Sequence, residues 1–223
     1  MFRNLWDALK KNPLMDDSYD IMDELHHQTQ EMFLLSMKAL IDQDVDPEEI
    51  IMMDKAVNKN VQKVRKKVFE YFSLTTVPNI HGGLVLISLV IDYERIGDYA
   101  KDLALMREEY GYNKPFTHDV KDSMNSMKDK VSMMFLEAHN SLQKIEEKYP
   151  TKVTLLEREL KKEYERLVER LMDRDLTRKE VIVALISARI LKRIAGHHDN
   201  IATSGSRPFP KLGFKPGASS WED

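Results

Sequence analysis

The sequence predicts an all-α fold, two antiparallel three-helix bundles related by an internal pseudo-repeat, and three observations carry that expectation. First, Leu86, Leu89, Tyr93, Ile96, Ala100 and Leu103 follow one another by alternating steps of three and four, one continuous apolar seam that must face other helices. Second, the pattern returns later in the chain. Setting Val181–Ala202 beneath Gly83–Ala104 matches Val85 with Val183, Arg95 with Arg193, Ile96 with Ile194 and Ala104 with Ala202, as a duplication would. Third, charged residues make up 32% of 223 residues, while Gly and Pro number eight each. That is a profile of long helices with solvated outer faces more than of a sheet protein.

The elements follow in order. Residues 1–15 form an N-terminal amphipathic segment: Phe2, Leu5, Trp6 and Leu9 share a helical face, Arg3, Lys10 and Lys11 lie opposite or flank it, and Pro13 closes it. Such a segment either folds back on its own bundle, the commoner outcome, or lies on a membrane surface or a partner. Residues 16–113 form the first bundle. Its first helix runs from Asp17 to Ile41, with Ile21, Leu25, Met32, Leu35 and Ala39 on the seam. The second starts at Asp46-Pro47-Glu48-Glu49, where Asp46 caps, Pro47 fits the first turn and Glu49 completes a capping box; Ile50, Met53, Val57, Val61, Val64, Val68 and Tyr71 are its seam. A turn at Thr75–Pro78 leads into the third, which carries the opening seam to Tyr110.

Residues 114–203 form the second bundle. Helix 4 places Val120, Met124, Met127, Val131, Met134, Ala138, Leu142 and Ile145 on its seam and ends before Pro150. Helix 5 uses Val153, Leu156, Leu160, Leu167 and Leu171, and Thr177 with Glu180 makes a capping box for helix 6, which ends near Ala202. Residues 204–223 hold Pro208, Pro210 and Pro216 with three glycines and cannot continue the helix. They are expected as an extended, loosely held tail, with Phe209, Phe214 and Trp221 available to anchor it.

Composition excludes several functions. A net charge of −3 gives no clustered cations for nucleic acid. Without cysteine there is no disulfide frame, thiolate site or thiol nucleophile. No stretch reads as a signal peptide or an apolar membrane span, so the expectation is a cytoplasmic protein.

Chemistry concentrates beside the seams. Glu94 and Asp98 stand one turn apart, one position round from the apolar face of helix 3; Asp54 and Asn58 repeat the arrangement on helix 2. A like-charged pair at that spacing costs a few tenths of a kcal/mol unless something positive sits between the groups. A metal ion fills that need, and so does a basic side chain such as Arg95 or a lysine of a neighbouring helix, solvated charge faces being common. Carboxylate and amide oxygens without sulfur suit magnesium, manganese, iron, calcium or zinc.

Three long helices, a linker and three more, with Asp54-x-x-x-Asn58 on the second and Tyr93-Glu94-Arg95-Ile96-Gly97-Asp98-Tyr99-Ala100 on the third, resemble the PhoU family of phosphate-transport regulators. The resemblance covers residues 16–203 and is most specific at Glu94-Arg95-Ile96-Gly97-Asp98; Asn58 stands where the family prefers a second acid. It implies a non-enzymatic cytoplasmic regulator, commonly a homodimer. Its partner would be a phosphate transporter or its sensor kinase, which would place it at the membrane periphery. It also implies a metal site for iron, zinc, manganese or magnesium at Asp54, Asn58, Glu94 and Asp98. The second half departs from the pattern: its corresponding positions are Glu157, Lys161, Lys192 and Gly196. Lysines supply no oxygen ligand and repel a cation. Thr154-x-x-Glu157 reads in addition as a capping box, so no second metal site is expected.

The remaining candidates are weaker. Glu24-x-x-His27 has the spacing used in di-iron bundles, which need two such motifs where this chain has one. His197-His198 near the end of helix 6 suits a helix dipole as a capping pair. His81-Gly82-Gly83 opens helix 3 and could bind an anion there, although two glycines in a row are more often just a turn. No Ser-His-Asp order or phosphate-cradling glycine loop is present. Two other classes stay open beside the regulator: a carboxylate-bridged metalloenzyme of the ferritin-like kind, and a ligand-free helical adaptor.

Overall fold

The computed structural model of the chain describes residues 13, 15–42, 45–144, 146, 148–173 and 176–213. The apolar face of Phe2, Leu5, Trp6 and Leu9 lies outside the described residues, as do Ile145, Phe214 and Trp221. The described part contains six α-helices: α1 Asp16–Asp42, α2 Pro47–Leu74, α3 Ile80–Glu109, α4 His118–Lys144, α5 Lys148–Asp173 and α6 Arg178–Thr203.

Burial follows the seams. Leu86, Leu89, Tyr93, Ile96, Ala100 and Leu103 of α3 are buried, as are Ile50, Val57, Val61, Val64, Val68 and Tyr71 of α2 and Val120, Met124, Met127, Val131, Met134 and Ala138 of α4. Met53 and Leu142 are only partly buried and pack against the edge of this core. Pairs of side chains between helices give the directions: Lys67 meets Asp17 while Asn60 meets Gln28, and Arg65 meets Glu94 while Lys101 meets Asp54. Both α1 and α3 therefore run antiparallel to α2.

Each trio forms a bundle, and the halves meet where α3 packs on α6 and α1 on α4; α2 and α5 touch only their own half among the described residues. At the α3–α6 joint Tyr99 faces His197, its counterpart in the repeat, with ring centroids 5.7 Å apart. His197 Nδ1 lies 2.7 Å from Asp92 Oδ1, which also accepts from Asn200 (3.1 Å), while Arg193 donates to the Tyr99 hydroxyl (3.2 Å).

The start signals are largely as expected. Asp46 caps α2 by accepting from the Glu48 amide at 3.0 Å. Asn79 caps α3 by accepting from the Gly82 amide at 3.0 Å. The His81-Gly82-Gly83 stretch is thus the first turn of α3, as its expected place at the opening of helix 3 requires. At Gly83 a Cβ would stand 2.4 Å from the tip of the partly buried Phe72 ring, so any other residue there would require that ring to shift. Thr177 caps α6 through the Glu180 amide at 3.3 Å. Glu180 does not close the reciprocal half of the expected box; its buried carboxylate accepts instead from the Thr117 amide at 2.7 Å and ties α6 to the interhelix linker. Thr177→Ala is expected to lower stability by about 1 kcal/mol, read as a shift of the urea midpoint at constant slope. The expected tail begins differently: within residues 204–213 the chain turns back into a short 3₁₀ helix, Phe209–Lys211, against α3, rather than extending.

Candidate functional site

The antiparallel crossing of α2 and α3 brings the two predicted pairs onto one surface. Asp54 is the buried member, with its side chain 9% exposed, against 25% for Glu94 and 33% for Asp98. Its Oδ2 accepts from Lys101 Nζ at 2.7 Å and from Asn58 Nδ2 at 3.4 Å. Its Oδ1 is buried without a partner, beside Gly97, where a Cβ would stand 3.9 Å from it, an ordinary contact distance.

The other two acids are held by cations as well. Glu94 Oε2 accepts from Arg65 at 3.1 Å across the helix pair. Asp98 Oδ2 accepts from Arg95 at 3.2 Å and its Oδ1 lies 3.6 Å from Lys101 Nζ. Burial pulls the Lys101 ammonium down, and the bonds to Asp54 and Asp98 outweigh that and hold it above the usual lysine value. One turn beyond Asp98, burial pushes the Asp102 carboxyl up, with Lys101 pulling it back and Asp98, Glu109 and Asp54 adding to the rise.

As a ligand set for the implied metal ion these residues do not fit in this arrangement. Asn58 turns a donor toward Asp54, Glu94 is drawn to Arg65, and an ammonium stands between Asp54 and Asp98. Among the described residues no three histidine or acidic side chains are grouped so as to hold a metal. Arg95 is among the cations expected beside Glu94 and Asp98, but in place of a lysine from a neighbouring helix the structure has Arg65 of α2 at Glu94 and Lys101 of α3 itself at Asp98; Arg65, Lys101 and Asp102 were not singled out from the sequence. Lys101 is three residues beyond Asp98, a spacing at which an acid and a base meet on a helix, and that signal was there to find.

In the second half Glu157 is buried and pairs with Lys161 at 2.7 Å, while Lys192 lies over the Tyr164 ring at 4.5 Å. The capping box expected at Thr154 does not form. Helix α5 begins at Lys148, so Thr154 lies a turn or more inside it, and its hydroxyl donates to Asp199 Oδ1 at 2.6 Å.

Histidines gather where α1, α4 and α6 meet. His26 is buried and stacks on His139, centroids 4.4 Å apart, edge-on to Tyr93 and Phe135. Asp23 lies 3.6 Å from both His27 and His139. His198 is fully buried 4.1 Å from the Phe135 ring, with neither nitrogen hydrogen-bonded among the described residues. The capping role expected of His197 and His198 therefore gives way to tertiary roles, one in the α3–α6 joint and one in the core. Burial, with His139 and His27 adding, holds His26 down at about 3; burial also holds His198 well below the usual imidazole value.

Residues 22–106, which span α1 to α3 almost entirely, match the family model of the PhoU domain. The crystal structure of PhoU from Pseudomonas aeruginosa is similar to this one with a TM-score of 0.80 and 18% identity, over 87% of this chain and 96% of that chain. At such identity the likeness is one of fold. No curated protein matches the sequence.

Proposed function

We propose, from the premise that the first half of this chain is a PhoU domain within a PhoU fold, that the protein is a non-enzymatic regulator of phosphate transport and signalling. It acts in the cytoplasm, as a homodimer, by binding a phosphate transporter or its sensor kinase at the membrane. The observation that carries this reading is the domain match itself, which includes the Glu94–Asp98 strip. No described helix is long and apolar enough to cross a membrane, so any contact the described bundle makes with a permease is made through its surface. Arg65, Glu94, Arg95 and Asp98 are partly exposed and paired, a polar ridge suited to a charged partner surface.

The ferritin-like alternative gains no support from Glu24-x-x-His27. The His27 side chain is 65% exposed and Glu24 accepts from Gln28 on the same helix, so the motif does not line a bundle interior. The regulator reading is tested by tagging the full chain, solubilising membranes from cells grown in high and in low phosphate, and identifying what is retained. A phosphate permease, its ATPase or a phosphate-responsive kinase is expected in one phosphate condition more than the other. Recovery of none of these, together with iron-dependent peroxidase or ferroxidase turnover by the purified chain, would replace the regulator with the metalloenzyme.

A further inference from the structure

We infer that Lys101 takes the place of a metal ion at the acidic cluster of the first half, so that the chain closes this site with a cation of its own. The inference is independent of which partner the protein regulates. Lys101 Nζ is the one described group that reaches carboxylates of both helices, Asp54 Oδ2 on α2 at 2.7 Å and Asp98 Oδ1 on α3 at 3.6 Å. That bridging position is where a divalent ion would gain most from the two acids, and an ammonium there repels such an ion and occupies its volume. The neighbours conform to the ammonium. Asn58 directs an N–H at Asp54 and Glu94 leans away to Arg65.

The second half reaches the same end with a different residue. Glu157, at the position that corresponds to Asp54, is buried and holds Lys161 at 2.7 Å. There the lysine comes from the same helix; in the first half it comes from the facing one. Two halves with different side chains thus neutralise the same buried acid with a tethered ammonium, as expected if the charge, rather than a metal's coordination chemistry, is what the fold retains. The buried, unpartnered Oδ1 of Asp54 is the coordination direction that the first half still has to offer once the ammonium is withdrawn.

The test compares the wild type with Asp54→Asn, Lys101→Met, Lys101→Arg and the double variant Lys101→Met with Asp98→Asn. Each full-length chain is loaded in turn with Mn²⁺, Fe²⁺, Zn²⁺ and Mg²⁺, freed of loose ions, and assayed for metal content and for melting temperature with and without EDTA. The wild type and Lys101→Arg are expected to retain no stoichiometric metal and to show no EDTA-sensitive melting temperature. Lys101→Met is expected to gain both, with metal raising its melting temperature by several degrees, and the double variant to lose them. A Lys101→Met chain that is unfolded alone and folds on adding one of the ions also counts for the inference. It is overturned if the wild type keeps a stoichiometric ion that Asp54→Asn loses. It is equally overturned if Lys101→Met, folded or not, responds to none of the four ions.

Discussion

Replacing Arg107 with alanine is expected to cost about 3–5 kcal/mol, a large fraction of a domain's stability. Arg107 stands at the end of α3 and is buried. Its Nε donates to the Leu40 carbonyl in the last turn of α1, and its Nη1 donates to the carbonyls of Tyr112 (3.3 Å) and Lys114 (2.6 Å) in the linker between the halves. Its guanidinium carbon lies 4.9 Å from the Tyr112 ring centroid and 4.5 Å from that of Phe116. Gly111, at φ 57°, supplies the left-handed residue that turns the linker back over this group. Truncation leaves three carbonyls without their donor, at about 1–3 kcal/mol each, less what entering water returns. Arg107→Lys is expected to recover only a minor part, because a single ammonium lacks the planar fork that spreads donors over several acceptors. Urea unfolding checks both variants, and a midpoint loss equivalent to less than about 1 kcal/mol for the alanine variant would show the linker held by other contacts.

The second large effect is acid lability centred on His26 and His198. Both are neutral when buried, with folded pKa values below the usual 6.5, His26 at about 3. Lowering pH therefore protonates these imidazoles in the unfolded chain first. Stability is fully present above 6.5 and is lost as pH falls below it toward the folded value. At pH 4.5 His26 alone costs about 2–3 kcal/mol, and His198 adds to it. Two carboxylates stand close by: Asp23, paired with His27 and His139, and Asp92, paired with His197. Burial also holds His139 down, with Asp23 working the other way. Melting temperatures of the wild type, His26→Phe and His198→Phe from pH 7.5 to 4.5 test this. Each variant should show a shallower decline than the wild type, and curves that run parallel to it would place the acid-sensitive groups elsewhere.

How much of this was legible in the sequence follows from what each feature depends on. A seam such as Leu86, Leu89, Tyr93, Ile96, Ala100 and Leu103 depends on one helix's own periodicity, so it was readable and every member is buried. The positions of the two pairs, Asp54 with Asn58 and Glu94 with Asp98, were readable for the same reason, and the pairs do share a surface; a metal between them was implied by the family resemblance alone. Most of their partners depend on register between helices. Arg65 reaches Glu94, and Lys101 reaches Asp54, because of where α2 and α3 cross. Arg107 ends the stretch Leu103-Ala104-Leu105-Met106-Arg107 ahead of two glutamates, which reads as a solvated helix end until the linker folds over it. Thr154 was misplaced through a boundary error. Pro150 belongs to the first turn of α5, where proline is tolerated, so the helix starts earlier than the apolar pattern shows.

The confinement of α2 and α5 to their own halves bears on how the chain reaches this structure. Each trio is closed by contacts between neighbouring stretches of chain, so the entropy of loop closure is spent over short spans and assembly within a half is fast. During synthesis the residues of α1, α2 and α3 leave the ribosome together, with the Asp54–Lys101 pair and the Leu40 anchor of Arg107 already available to them. The α3–α6 and α1–α4 faces, the linker over Arg107 and the 3₁₀ helix on α3 must wait for the rest of the chain. Docking of the two halves is then expected to follow assembly within each, and a second half with altered chemistry can arise without disturbing the contacts that close the first.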